Sequence, residues 1–296
     1  MTDTITRIQI SGGIKSRIKI LLELVKFEHT LFALPFAFMG MLIGAGGIPA
    51  ADRIILVVAA MAGARTTAMG FNRLADAAID AKNPRTSSRA IPAGLISKNS
   101  VWALIIVSAA VFFASAYELN DVCFKLSPLA LFLLLFYSYT KRFTSLSHFV
   151  LGLTLAIAPS AGYLAVNTFL TAAPLVLSAS VMFWSAGFDI IYACQDIDFD
   201  KKEKLCSIPA AAGLSKSLLW ARALHLITIA GFAATGYLIG AKPVYYIFVA
   251  LCAALLVYEH YLLKDGSLKN VNTAFFNVNG MVSAAMFLAA LINYSI

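Results

Sequence analysis

The chain has 296 residues, of which 60% are hydrophobic and only 13% are charged, whereas a soluble domain has about 45–50% and about 25%. So few charged side chains cannot cover the surface of a soluble fold of this size, and soluble, fibrous and disordered proteins are excluded. We therefore expect a multi-span membrane protein, whose apolar side chains face lipid as well as one another. The net charge of +8 then indicates orientation in the membrane, and we expect no nucleic-acid partner.

In chain order, apolar stretches of about 20 residues, enough to cross the hydrocarbon of a bilayer, predict nine membrane helices. The stretches are 25–47, 53–72, 100–118, 123–140, 149–167, 170–192, 217–239, 243–262 and 272–294. We expect them to form one all-α integral membrane domain over residues 1–296, with a short amino-terminal tail at about 1–22. The two longest connections, at about 73–99 and 193–216, fall on the same side of the membrane as this tail.

Lys and Arg are distributed unevenly between the two sets of connections. If the amino terminus is cytoplasmic, the cytoplasmic segments hold 18 of these residues and the outer segments hold three, while Arg65 and Arg222 lie within or at the edge of spans. Basic residues concentrate on the cytoplasmic side of membrane proteins. We therefore predict a cytoplasmic amino terminus, an outer carboxyl terminus and two long cytoplasmic loops.

Seven of the 15 acidic residues fall in two clusters, each at the cytoplasmic end of an even-numbered span. Asp76 and Asp80 belong to the first cluster, and Asp196 and Asp200 lie 120 residues later in the second. Spacing of four residues predicts that each pair lies on one helix face, and the repeat indicates a duplicated half. Like charges beside lipid need a compensating cation. Hard oxygen ligands suit Mg²⁺ bound to substrate phosphates, which is the chemistry that the two clusters predict.

Basic residues surround both acidic clusters. Those closest in sequence are Arg85, Arg89, Lys141, Arg142 and Lys201. A guanidinium presents a planar fork that suits phosphate oxygens, and an ammonium acts as a point charge. Although topology alone accounts for many such residues, carboxylates and cations on one membrane face indicate a site for a metal–diphosphate complex.

Four motifs join these residues into longer patterns. They are N-x-x-x-D-x-x-x-D at Asn72–Asp80, R-x-x-x-R-x-x-P-x-G at Arg85–Gly94, Y-x-x-x-K-R-x-T at Tyr137–Thr144 and D-x-x-Y-A-x-x-D-x-x-x-D at Asp189–Asp200. In this order, the motifs resemble those of the UbiA superfamily of membrane prenyltransferases, from about residue 20 to the end of the chain. The resemblance implies nine helices around a central cavity that opens laterally to the bilayer.

The resemblance also implies a role for each motif residue. Five residues would hold Mg²⁺ on an isoprenyl diphosphate: Asn72, Asp76, Asp80, Asp196 and Asp200. Five residues would contact the substrates, the first four of them at the diphosphate: Arg85, Arg89, Lys141, Lys201 and Tyr192. Arg142 is the candidate for binding an acceptor carboxylate, and Asp189 is the candidate base for the proton that leaves the aromatic ring.

Among UbiA enzymes, the chain is most similar to the 4-hydroxybenzoate polyprenyltransferases of ubiquinone biosynthesis. This implies Mg²⁺-dependent transfer of a polyprenyl group from polyprenyl diphosphate to an aromatic acid, in the bacterial cytoplasmic (inner) membrane. The run Phe27–Pro35 is more similar to prenyltransferases of the futalosine route to menaquinone, so a different aromatic acid is the alternative acceptor. If Arg142 does not hold the acceptor, Glu28 and His29 are the next candidates.

A membrane carrier is the competing class of protein. Duplicated halves and carboxylates beside lipid fit a cation-coupled transporter. The binding sites of carriers are expected near the bilayer midplane, however, whereas both acidic clusters are predicted at one face. A purely structural membrane scaffold leaves the paired Asp motifs unexplained. The sequence therefore favours an enzyme.

Overall fold

The computed structural model describes residues 20, 24, 30–263 and 268–296, and the regular secondary structure in these ranges is helical throughout. The first six helices are α1 (Thr30–Ala45), α2 (Ala51–Ala75), α3 (Ala77–Lys82), α4 (Lys98–Leu119), α5 (Asp121–Thr140) and α6 (Ser147–Leu164). The other five are α7 (Ala172–Ala193), α8 (Ile197–Lys202), α9 (Ile208–Leu238), α10 (Pro243–Tyr261) and α11 (Asn279–Ser295). A 3₁₀ turn, Cys194–Asp196, precedes α8, and a π-helical turn, Thr273–Val278, precedes α11.

The predicted all-α membrane architecture is confirmed. Within the described residues, eight helical segments are long and apolar enough to cross a membrane, and the shorter apolar helix Phe32–Ala45 matches the remaining predicted span. The predicted start of that span, at residue 25, and nearly all of the predicted tail 1–22 lie outside the described residues.

Several helices begin at side chains that cap their amino termini. The side-chain oxygens of Ser97, Asn120 and Ser207 each accept a hydrogen bond from a backbone N–H in the first turn of α4, α5 and α9, respectively. Such caps satisfy donors that a helix leaves without partners. Asn120 alone separates α4 from α5, so these two spans are joined by a tight turn.

Glycine allows the backbones of α1 and α6 to touch. A Cβ atom placed on Gly40 would overlap the carbonyl group of Pro159, and one placed on Gly162 would overlap the carbonyl group of Ala37. Small residues at helix interfaces are typical of membrane bundles, where close approach replaces the hydrophobic effect as the source of attraction. Helix α1 is therefore held tightly against the middle of the bundle.

Aromatic side chains fill the space between α1, α7 and the last helices. Trp184 is fully buried and contacts Phe36 and Phe188, with ring centroids 5.2 and 5.0 Å away. Its indole Nε1 donates a hydrogen bond to Asn279 Oδ1 at 2.7 Å, and Asn279 Nδ2 donates to the buried Glu259 Oε1 at 2.8 Å. Packing and this hydrogen-bonded chain together fix the position of the aromatic core.

Candidate active site

Both acidic clusters lie where a long helix is interrupted. Asp76 separates α2 from α3 and has φ −94° and ψ 0°. Asp196 ends the 3₁₀ turn before α8 and has almost the same conformation, φ −106° and ψ 11°. The prediction that each carboxylate pair lies on one continuous helix face is therefore wrong, because the backbone leaves the α region at the first member of each pair. The two breaks also correspond in position, since α3 and α8 begin 120 residues apart.

Asp76 is 3% exposed and lies against three other motif residues. Its Oδ2 is 2.6 Å from Lys141 Nζ and accepts a second hydrogen bond from Asn72 Nδ2 at 3.3 Å. Arg142 Nη2 is 3.6 Å from Asp76 Oδ1 and donates instead to the backbone oxygen of Ala75 at 2.5 Å. Asp76 Oδ1 is thus buried without accepting a hydrogen bond from any described residue.

Asp80 of α3 is paired with an arginine in the loop that follows this helix. Arg89 Nη1 donates to both carboxylate oxygens of Asp80 at 2.8 Å. The loop folds back to make this contact, and the Thr86 hydroxyl donates to the backbone oxygen of Asp80 at 3.1 Å. One carboxylate of the first cluster is therefore paired with one arginine of the basic motif that follows it.

Arg85 joins the two clusters. Its Nε donates to Asp196 Oδ1 at 3.0 Å, and its Nη2 donates to the other oxygen of the same carboxylate. Asn83 Nδ2 also donates to Asp196 Oδ1 at 3.1 Å, and the Tyr192 hydroxyl accepts from Arg85 Nη1 at 3.2 Å. Burial lowers the pKa of Arg85, but its hydrogen bonds to Asp196 and the charge of that carboxylate outweigh burial and raise the pKa above its ordinary value.

Asp200, in the loop helix α8, has a hydroxyl partner. Its Oδ2 accepts a hydrogen bond from Ser207 Oγ at 2.8 Å. Burial raises the pKa of Asp200 above its ordinary value, although the hydrogen bond from Ser207 opposes this. Lys201, the neighbouring predicted diphosphate ligand, is exposed and has no hydrogen-bond or ion-pair partner among the described residues.

The predicted base, Asp189, contacts a histidine that the sequence did not connect with the site. Asp189 Oδ2 is 2.6 Å from His148 Nδ1, and His148 Nε2 is 3.3 Å from the backbone N of Ile208. No periodic pattern in the sequence indicates this contact, because it joins residues 41 positions apart on two different spans. Glu28 and His29, the reserve candidates for acceptor binding, lie outside the described residues.

Arg65 is a second residue that sequence reasoning did not place in the site. It lies on α2, seven residues and therefore two turns before Asn72. Its guanidinium Nε is buried and has no hydrogen-bond partner in the described part of the chain. Tyr137, which interacts electrostatically with Arg65, also interacts with Asp76 and Asp189. An Arg in the interior of an apolar span is itself a signal of function, since charge in that position is expensive.

Together, these residues form a site of alternating charge at one end of the bundle. Within residues 30–263 and 268–296, no three His, Cys, Asp or Glu side chains are already placed to hold a metal ion together. The carboxylates of Asp76, Asp80 and Asp196 are instead each paired with a Lys or Arg. The oxygen-rich ligand set nevertheless fits a hard divalent cation, as does Asp76 Oδ1, which accepts no hydrogen bond from the described residues.

Comparisons of sequence show what this chain is similar to. The model of the UbiA prenyltransferase family matches residues 33–290. A 4-hydroxybenzoate octaprenyltransferase from Aeromonas salmonicida (strain A449) is 30% identical over 253 residues, which cover 85% of this chain and 86% of that protein.

Solved structures have the same fold. The apo structure of a UbiA homolog from Aeropyrum pernix K1 is 33% identical, with a TM-score of 0.80, and the match covers 88% of this chain and 98% of that one. A UbiA homolog from Archaeoglobus fulgidus, solved with GPP and Mg²⁺, is 21% identical, with a TM-score of 0.75 and coverage of 94% and 100%.

Proposed function

This chain belongs to the UbiA prenyltransferase family and is a membrane prenyltransferase; we propose that it transfers a polyprenyl group from polyprenyl diphosphate to an aromatic acid of the 4-hydroxybenzoate type. The observation that carries this proposal is the pairing of carboxylates with cations at one end of an apolar bundle. The name of the Aeromonas salmonicida relative supports the acceptor class. A place in respiratory quinone biosynthesis is part of the same proposal. The bacterial inner membrane is the location that this role implies.

On the donor side, the carboxylates would exchange basic side chains for the metal, and the basic side chains would exchange carboxylates for the phosphate oxygens. Mg²⁺, the metal present in the Archaeoglobus fulgidus structure, would neutralise the charge that builds on the departing diphosphate. Five residues would hold it: Asn72, Asp76, Asp80, Asp196 and Asp200. Three of these carboxylates are paired with Lys141, Arg89 and Arg85. These three cations would turn to the phosphate oxygens, together with Lys201.

The chemical step then depends on groups of this chain that separate charge and exclude water. The C–O bond of the allylic diphosphate breaks, and its electron pair leaves with the diphosphate, where the cations stabilise it. The allylic carbon forms a C–C bond with the ring carbon ortho to the acceptor hydroxyl, and the ring proton passes to Asp189. Tyr192 lies at the border of this site, with its ring 4.3 Å from that of Phe275, and such aromatic walls keep water from the cation.

The acceptor carboxylate needs a cation in these apolar surroundings, since an unpaired buried charge is costly. Arg142 is the candidate by motif, but its guanidinium lies beside Asp76, donates to Ala75 and stacks on Tyr139 at 4.9 Å. Arg65 has a buried guanidinium nitrogen, Nε, that makes no hydrogen bond to any residue that the structure describes. We therefore place the acceptor carboxylate at Arg65, with Arg142 on the diphosphate side of the site.

Product analysis tests the reaction directly. Purified protein in lipid vesicles, given octaprenyl diphosphate, Mg²⁺ and labelled 4-hydroxybenzoate, should form a C-prenylated acid, and EDTA should stop its formation. A panel of other aromatic acids tests the alternative, a prenyltransferase of the futalosine route. Uptake of a labelled solute into the vesicles with no prenylated product would instead identify a cation-coupled transporter.

A further inference from the structure

His148 is buried between three helices at the end of the bundle that carries the acidic clusters. It lies in the first turn of α6, its side chain is 4% exposed, and it contacts both Asp189 on α7 and the first residue of α9. We propose that His148 is a positioning residue that holds Asp189 in the orientation in which it receives the ring proton. The proposal rests on the proposed function, in which Asp189 is the base.

The contacts of His148 define which of its nitrogens carries the proton. The backbone N–H of Ile208 can only donate, so His148 Nε2, 3.3 Å away, accepts and has no proton. A neutral imidazole then carries its proton on Nδ1. Nδ1 is 2.6 Å from Asp189 Oδ2 and therefore donates to it. This hydrogen bond fixes the orientation of the Asp189 carboxylate.

The same contacts leave the second oxygen of Asp189 available. Asp189 is 18% exposed, and its Oδ1 accepts no hydrogen bond from the residues that the structure describes. One oxygen is thus fixed by His148 and the other is free to receive a proton. In the proposed step, the ring C–H bond breaks as aromaticity returns, its electron pair stays in the ring, and the proton moves to Oδ1.

The anchor of His148 is itself part of the site. Ile208 begins α9, and the preceding residue, Ser207, caps this helix and donates to Asp200 Oδ2 at 2.8 Å. His148 therefore ties the proposed base to the helix that orients a predicted metal ligand. A shift of α9 on substrate binding would reach Asp189 through His148.

Kinetics of variants in lipid nanodiscs test the role of His148, with geranyl diphosphate and 4-hydroxybenzoate as substrates. His148→Ala should lower kcat about tenfold to a hundredfold while the KM for geranyl diphosphate changes by less than about twofold. His148→Asn, which keeps an N–H donor near the Nδ1 position, should recover most of the lost kcat. In an Asp189→Asn background, His148→Ala should have little further effect, because both substitutions remove the same function.

The proposal is overturned if His148→Ala reduces kcat equally in the wild-type and Asp189→Asn backgrounds, or if His148→Asn restores nothing. A ¹⁵N spectrum of the histidine-labelled protein gives a readout that needs no activity. The signal absent from His148→Asn should show a protonated Nδ1 and an unprotonated Nε2. An imidazolium or the opposite tautomer would contradict the proposed contact, whereas failure of the wild type to prenylate any aromatic acid would contradict the proposed function instead.

Discussion

Asp76 and Asp196 stand at corresponding helix breaks but are neutralised differently. Asp76 is paired with an ammonium, and its other oxygen is buried and accepts no hydrogen bond within the described part of the chain. Asp196 instead accepts two hydrogen bonds from one guanidinium. Because these contacts bracket the proposed diphosphate site from both halves of the chain, neither cluster can replace the other. We therefore expect the reaction to need both.

Replacing either carboxylate tests this requirement. Asp76→Asn and Asp196→Asn should each lower kcat/KM at saturating Mg²⁺ by at least about a hundredfold, or about 2.7 kcal/mol of transition-state stabilisation, because an amide carries no charge to hold the metal. Asp198→Asn is the matched control, since Asp198 is exposed in the same helix as Asp200, and its rate should stay within about twofold. Wild-type rates in either cluster variant would rule out a site shared by the two clusters.

Arg65 and Arg142 are predicted to bind different substrates, and kinetics can separate the two roles. Arg65→Lys keeps the charge but loses the guanidinium fork, so it should raise the acceptor KM about tenfold, or about 1.4 kcal/mol, with little change in the donor KM. Arg142→Lys should mainly raise the donor KM, because Arg142 lies 3.6 Å from Asp76. Steady-state kinetics with each substrate varied in turn measures both effects. The reverse pattern would show that Arg142 binds the acceptor carboxylate, as its motif predicts.

At the scale of helices, glycine determines how closely α1 and α6 pack. Gly162→Ala would push a Cβ atom into the carbonyl of Ala37. A Cβ atom placed on Gly280 of α11 would meet no atom of the described residues within 4 Å, apart from its chain neighbours and the backbone of its own helix. Overpacking typically costs about 1–3 kcal/mol. Gly162→Ala should therefore lower the midpoint of thermal unfolding in detergent, and Gly280→Ala should not. The midpoint is measured by the loss of the monodisperse chromatographic peak on heating. Equal midpoints would show that the α1–α6 interface can relax.

The positions of the helices and of both acidic clusters could be predicted because they depend on local patterns, namely runs of apolar residues and fixed spacings. The break at Asp76 could not, since spacing of four residues is equally compatible with a continuous helix. The contacts of Arg85 with Asp196 and of His148 with Asp189 join residues 111 and 41 positions apart. Such pairings depend on which spans pack together, and no local pattern specifies that.

At the scale of the whole molecule, ion pairs connect the two halves. Arg85 reaches Asp196, and Lys82 Nζ lies 2.6 Å from Glu203 Oε2 on the more exposed rim. A divalent cation by itself must displace Arg or Lys from the carboxylates, and a diphosphate by itself must attract these cations away from them. When both bind, each charged group of the protein exchanges one partner for another. Metal and diphosphate should therefore bind cooperatively.

Calorimetry with Mg²⁺ and a non-reactive thiodiphosphate analogue measures this coupling. The Kd for Mg²⁺ should fall at least about tenfold when the analogue is present, and by linkage the Kd of the analogue should fall equally with Mg²⁺. Arg85→Gln should bind Mg²⁺ alone more tightly than the wild type, because Asp196 is released, and the analogue more weakly. Independent binding of the two ligands would show that the ion pairs do not oppose either one.

The orientation of the bundle decides from which face of the membrane the aromatic acid and the diphosphate group of the donor reach the site. The 18-to-3 distribution of Lys and Arg predicts that both acidic clusters face the cytoplasm. Ser88, in the loop after α3, and Thr168, between α6 and α7, are both exposed and belong to connections at opposite ends of the bundle. With the native cysteines replaced, Ser88→Cys should react with an impermeant maleimide only in inverted vesicles, and Thr168→Cys should react in intact cells. If Ser88→Cys were labelled from outside intact cells, the site would open to the outer face, and the diphosphate donor would have to be supplied there.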